Sequence, residues 1–197
     1  AHTDEFWENH GAFFPFDSQT DRLTPILEKV RPSHVIVTMW SDHKAGLAAI
    51  NELVQYAYVH KTHITLLSHV LVFDAVHLHP SSPNHRQQSI SPTGKYFIEL
   101  EKLIQKLPDE QWLIARIAMV IGINSPVVQD IKLKLTKNDP IEVFPNLIVS
   151  ATTRDMTIKQ IHYLINQKSC GLVHCASKDL MHHIDLVTEI CALMGRE

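Results

Sequence analysis

The sequence predicts an α/β fold, a doubly wound parallel sheet with a small α/β lobe at the carboxyl-terminal end. Three observations carry this. The apolar runs His34–Trp40, Ile64–Phe73 and Trp112–Gly122 are continuous rather than alternating, as in strands buried on both faces. Helical-period segments separate them, and strand–helix–strand alternation implies parallel crossovers. A polar loop with two prolines, Ala75–Ser91, comes after the second of these runs, at the end of an open α/β sheet where ligands bind. The chain has 197 residues, 45% hydrophobic and 20% charged, enough for one core with a small lobe attached.

In chain order, Gly11–Asp17 reads as a short apolar strand, with Asp17 or Ser18 able to cap the first helix. Thr20–Val30 carries Leu23, Ile26, Leu27 and Val30 on one helical face, and Arg31-Pro32 ends it, because a residue before proline is pushed out of the helical region. The strand at 34–40 leads into a helix over Lys44–His60 with Leu47, Ile50, Leu53, Val54 and Ala57 inward. The strand to Phe73 and the polar loop come next, then a helix over Thr93–Leu107 and the strand Trp112–Gly122. Beyond Gly122 the spacing predicts a helix over Val127–Thr136, a short strand at Ile141–Phe144, a strand at Gly171–Ala176 and a closing helix over Leu180–Met194. This divides the chain into a core over 1–122 and a lobe over 123–197, packed as one globular unit.

A formal charge of −3 gives no basic field for a nucleic-acid backbone, and no apolar run reaches the roughly 20 residues that span a bilayer. The amino-terminal decapeptide is polar and acidic rather than signal-like. Three cysteines, Cys170, Cys175 and Cys191, lack zinc-ribbon spacing and read as packing residues of a reducing, cytoplasmic compartment. Fourteen histidines raise the question of a metal, yet neither His77/His79 nor His182-His183 has an i, i+4 partner with a carboxylate, so they read as scattered loop and surface groups.

Leu67-Ser68-His69-Val70-Leu71-Val72-Phe73-Asp74 resembles the Ser-Thr-Asp-Tyr-Val-Phe-Asp signature of the dTDP-4-dehydrorhamnose reductase family, extended short-chain dehydrogenases/reductases with a Rossmann-like sheet. Thr93-Gly94-Lys95-Tyr96-Phe97-Ile98-Glu99-Leu100-Glu101 resembles the family's Tyr-Gly-x-x-Lys-x-x-x-Glu helix start. Arg116 and Gly122 fall on the Arg and Gly of its Arg-Thr-Ser-Trp-Val-Tyr-Gly strand, and Gly171–Ala176 resembles its Gly-x-Tyr-His-x-x-Gly strand. Ser150–Met156 is similar to its Gly-x-Pro-Thr-x-x-x-Asp-Leu junction. The frame is kept and the chemistry is not. His69 stands where the family has its catalytic Thr or Ser, Thr93 where it has the Tyr, and Phe97 where it has the Lys. The family would also place a first βαβ unit before Phe13, where only the polar decapeptide stands.

A dinucleotide site needs clustered glycines so that the backbone can approach the pyrophosphate. The six glycines, at 11, 46, 94, 122, 171 and 195, are too far apart for one such loop. No Gly-x-Ser-x-Gly elbow is present, and Cys175 and His174, being neighbours on a strand, face opposite sides. The expectation is therefore a reductase-like protein with no catalytic residues and no cofactor, acting as an adaptor or structural subunit with other protein subunits of a complex, one that can be peripheral to a membrane. The alternative is an enzyme, either a divergent NAD(P)-dependent sugar-nucleotide reductase or one built on His69. Docking candidates lie in the loops at the carboxyl ends of the strands: Trp40, His77, His79, His85, Arg86 and Ile123.

Overall fold

The computed structural model describes residues 11–38, 43–75 and 81–195. The main sheet has four parallel strands, β1 (His34–Val37), β2 (His63–His69), β3 (Trp112–Ile117) and β6 (Gly171–Cys175), in the order β1-β2-β3-β6. A second sheet has the order β4-β5-β7, from Met119–Ile121, Ile148–Thr153 and Leu180–His182; β4 and β5 are parallel, β5 and β7 antiparallel. Helices α1 (Thr24–Val30), α2 (His43–His60) and α3 (Pro92–Ile104) cover one face of the main sheet. Helix α5 (Arg154–Asn166) covers the other through Ile161, Leu164 and Ile165, packed against Leu67, Ala115 and Val173. The second sheet packs with α4 (Pro126–Lys137) and α6 (His183–Leu193) around Val128, Ile131, Leu186, Val187 and Ile190. The expected doubly wound α/β architecture is thus present. Among the described residues no helix is long and apolar enough to cross a membrane.

Several elements depart from expectation for local reasons. Gly11–Asp17 forms no strand: Pro15 lacks a donor, and Asp17 folds into a turn in which its carboxylate accepts from the Gln19 amide at 2.8 Å. The first helix starts at Thr24, and its cap comes from neither Asp17 nor Ser18. Glu52 of α2 accepts from the amides of Leu23 and Thr24, both at 3.1 Å, a long-range partner for orphan helix donors. Strand β1 is an edge, not a doubly buried strand, and Ile36 is half exposed on it. The apolar run 112–122 divides at Ala118, where the chain leaves the main sheet for the second one. It returns with α5 and β6 and leaves again for β7, so three passages link the sheets where the sequence suggested one, at Gly122. The expected strand at Ile141–Phe144 is irregular, hemmed by Pro140 and Pro145, and its place is taken by β5. The closing helix begins at His183, after β7.

The run predicted as one strand to Phe73 stops at His69, and Val70–Phe73 turns into a 3-10 helix. Helix α3 docks tightly onto that turn. Its first turn is capped by the Ser91 hydroxyl, which accepts from the Gly94 amide at 3.0 Å. At Gly94 a Cβ would collide with the Leu71 carbonyl and the Ser89 hydroxyl, so only glycine permits the approach. Asp74 fixes the other side, accepting from the Ile90 amide and the Ser89 hydroxyl at 2.8 Å each and from the Ser91 hydroxyl.

Candidate functional site

At the carboxyl end of the main sheet, Ser68, Arg116 and His174 lie in one register row across β2, β3 and β6. The row faces α3, whose inward stripe of Phe97, Leu100 and Ile104 is interrupted by Glu101. The Arg116 and Glu101 side chains are 2% and 0% exposed, and they form a forked pair: Nε reaches Oε1 at 3.0 Å and Nη2 reaches Oε2 at 2.7 Å. The Ser68 hydroxyl donates to Glu101 at 2.5 Å, and the Gln87 amide also donates to it. Arg116 spends Nη1 on the Pro83 carbonyl at 2.8 Å, and its guanidinium lies 4.9 Å from the centre of the Phe73 ring. A buried charge requires such a partner set. The cluster binds strand, helix and the 81–91 loop to one another.

His69, at the end of β2, is turned to local work. Its Nδ1 accepts from the Leu71 amide at 3.1 Å, capping the 3-10 turn, and its ring stacks on Phe97 with centroids 6.2 Å apart. Burial holds its pKa below the usual value, so the imidazole is neutral near pH 7. With Nδ1 accepting, this hydrogen bond assigns the proton of the neutral ring to Nε2. Phe97 is 1% exposed within the core. Thr93 stands one helical turn before it and is half-buried. Tyr96 turns into the core as well, while Lys95 is exposed. Of the three positions where the resemblance implies catalytic residues, two, His69 and Phe97, are brought into contact as packing.

Of the docking candidates, Trp40, His77 and His79 lie outside the described residues. His85 and Arg86 are exposed on the loop and line a cavity of about 550 Å3 with Lys102, Gln105, Arg116 and Leu172. His85 Nδ1 accepts from the Ser82 amide at 3.1 Å. His174 is held below its usual pKa, chiefly by burial and then by Arg116. Ile123 is separate from these, at a cavity beside the second sheet. Among the described residues, no three His, Cys, Asp or Glu side chains gather as a metal-binding group. The resemblance places Glu101 on the Glu of the family's helix start, but sequence reasoning did not single out its pairing with Arg116, nor Gln87 or Ser68 as partners. The signal was available: an arginine inside an apolar strand, and a glutamate on the apolar stripe of the helix before it, each demand a counter-charge.

No family model and no curated protein sequence matches the chain. Solved structures do. A dTDP-4-dehydrorhamnose reductase from Clostridium acetobutylicum superposes with a TM-score of 0.76 at 22% identity, over 92% of this chain and 71% of that one. A hypothetical dTDP-4-dehydrorhamnose reductase from Sulfolobus tokodaii gives 0.78 at 18%, over 91% and 68%. The Bacillus anthracis dTDP-4-dehydrorhamnose reductase, solved with NADP, gives 0.74 at 15%, over 98% and 77%. Over about nine-tenths of its length, then, this chain has the fold of the dTDP-4-dehydrorhamnose reductases, the likeness that its motifs express in sequence.

Proposed function

We propose that the chain is a non-catalytic, reductase-like scaffold that works through protein contacts, as an adaptor or structural subunit of a larger assembly. The observation that carries this is the contact of His69 with Phe97. The basic nitrogen of His69 is committed to the Leu71 amide, and an apolar ring buried in the core stands where a reductase would hold its lysine. Proton transfer needs a group whose pKa is matched to the task and which reaches the substrate; an apolar ring carries no such group, and the Nδ1 lone pair of His69 is engaged by the Leu71 amide. The Arg116–Glu101 cluster adds to the reading, because the polar groups at the carboxyl end of the sheet are satisfied by one another. Partners in this reading are other protein subunits, met through loop residues such as His85 and Arg86.

Titration of the chain with NADPH and NADH, followed by nicotinamide fluorescence and calorimetry, tests the catalytic side of the reading. The expected result is no saturable signal in the micromolar range. Low-micromolar, saturable binding would overturn the reading in favour of a divergent reductase. Affinity capture from the native cell tests the docking side. Stoichiometric partners should be recovered by the wild type and lost with His85→Ala/Arg86→Ala.

A further inference from the structure

Helices α4 and α6 leave a cavity of about 610 Å3 beside the second sheet. Its walls are aliphatic: Val128 and Leu135 from one face of α4, Ile190 and Met194 from α6. The Thr136 hydroxyl in this lining is already spent, donating to the Lys132 carbonyl of its own helix at 2.8 Å. Lys132 is the one ionisable side chain of the lining. Among the described residues it makes no ion pair, whereas its neighbour Lys134 is held by Asp130 at 2.7 Å. Two further lining residues, Ile123 and Leu193, are 80% and 82% exposed, which places apolar side chains at the cavity mouth. Concave apolar sites of this size with a single placed polar group are where small molecules bind.

We infer that this cavity takes a straight-chain aliphatic carboxylate, its tail between α4 and α6 and its carboxylate at the Lys132 ammonium. A ligand rich in donors and acceptors, such as a nucleotide, would leave them unpaired against the aliphatic walls. A neutral hydrocarbon would leave the cation unused. The carboxylate with an alkyl tail matches both features. The lining includes neither His69 nor Phe97, and the site is independent of the scaffold reading.

Calorimetry with octanoate, decanoate and dodecanoate, each below its micelle-forming concentration, and with 1-decanol as the uncharged match, tests the assignment. One-site binding is expected, tightening by about fourfold for each added methylene, the fold-change of a buried CH2, until the tail fills the cavity. Lys132→Met should weaken decanoate by about tenfold, the worth of a hydrogen bond to a charged group, and leave 1-decanol unchanged. Ile123→Asp and Leu193→Asp, at exposed positions that the fold tolerates, should weaken both ligands. Unaltered melting temperatures would confirm that the variants are folded. Absence of saturable dodecanoate binding overturns the proposal, as does decanoate binding that ignores Lys132→Met or both aspartate variants. A wild-type dimer that Leu193→Asp converts to monomer, without carboxylate binding, would overturn it in favour of a second copy of the chain on this surface.

Discussion

Replacing Glu101 by Gln keeps the shape of the side chain and removes its charge, leaving the Arg116 guanidinium buried without a counter-ion. The site offers little relief, since the two side chains are 2% and 0% exposed and Arg116 is fixed between Glu101, the Pro83 carbonyl and the Phe73 ring. Breaking a buried pair from one side costs about 3–5 kcal/mol, a large share of the roughly 5–15 kcal/mol that stabilises a typical domain. Removing the pair as a unit is different. Arg116→Met/Glu101→Leu leaves no buried charge, but it orphans the buried Ser68 hydroxyl, which costs about 1–3 kcal/mol, while the half-buried Gln87 amide and Pro83 carbonyl that also lose their partners can turn to water. Adding Ser68→Ala removes that group too, so the triple variant should recover most of the loss. Urea denaturation followed by fluorescence and circular dichroism, with slopes compared to confirm a shared unfolding transition, measures all three. A cost for Glu101→Gln under about 1 kcal/mol, the worth of a solvent-exposed pair, would refute the reasoning. So would a triple variant no more stable than the single one.

Gly94→Ala should destabilise despite alanine's better helix propensity: overpacking against the Leu71 carbonyl costs about 1–3 kcal/mol, against a helix gain of about 1 kcal/mol, and thermal unfolding would show the net loss. Stability should also fall as the medium is acidified from about pH 7.5 to about 5.5. Burial lowers the pKa of His34, His63, His69 and His174, with His34 adding to the effect at His63 and Arg116 at His174. With folded-state values below the unfolded value of about 6.5, these groups favour the fold fully above that value. As the pH drops through it, the unfolded chain takes up protons that the native chain refuses. The His34 and His63 rings are 4.7 Å apart, and His34→Gln, which can keep the bond to the Thr65 hydroxyl, should flatten the slope of the urea midpoint against pH; an unchanged slope would remove this pair from the account.

The sheet was legible where the chain pays for burial with continuous apolar residues: β2 and β3 are central strands, and their runs announce them. Misreadings fall where tertiary context decides. Val70–Phe73 is as apolar as the strand before it, yet His69 Nδ1 captures the Leu71 amide and starts a 3-10 turn, a side-chain competition that periodicity does not register. The cap of α1 is invisible locally because it comes from Glu52, some thirty residues away. The break at Ala118 likewise depends on which sheet offers a partner: Ile117 pairs with Cys175 and Met119 with Ala151, so neighbouring residues of one apolar run serve two sheets. Residues on which the family resemblance rests serve packing here. Gly94 is required by a close backbone approach and Asp74 by the amide and hydroxyls it holds, whether or not the sheet carries out chemistry.

The residues that match the family's motifs and those that depart from them differ in this respect. Gly94, Asp74 and Arg116 each satisfy a structural demand in this chain, through close packing, loop closure and a buried counter-charge respectively. At the three positions where the resemblance implies catalytic residues the chain has His, Thr and Phe, and two of those, His69 and Phe97, serve the fold as a turn cap and a core ring. The loop above them is tied at several points: Arg116 holds the Pro83 carbonyl, the Gln88 amide donates to the Val72 carbonyl at 2.9 Å, and Asp74 holds the Ile90 amide. A loop fastened to the sheet in this way presents its outward side chains, His85 and Arg86, on a rigid base. Such presentation lowers the ordering cost of a protein contact, so the ties that fill the carboxyl end of the sheet also favour the docking role proposed for its loops.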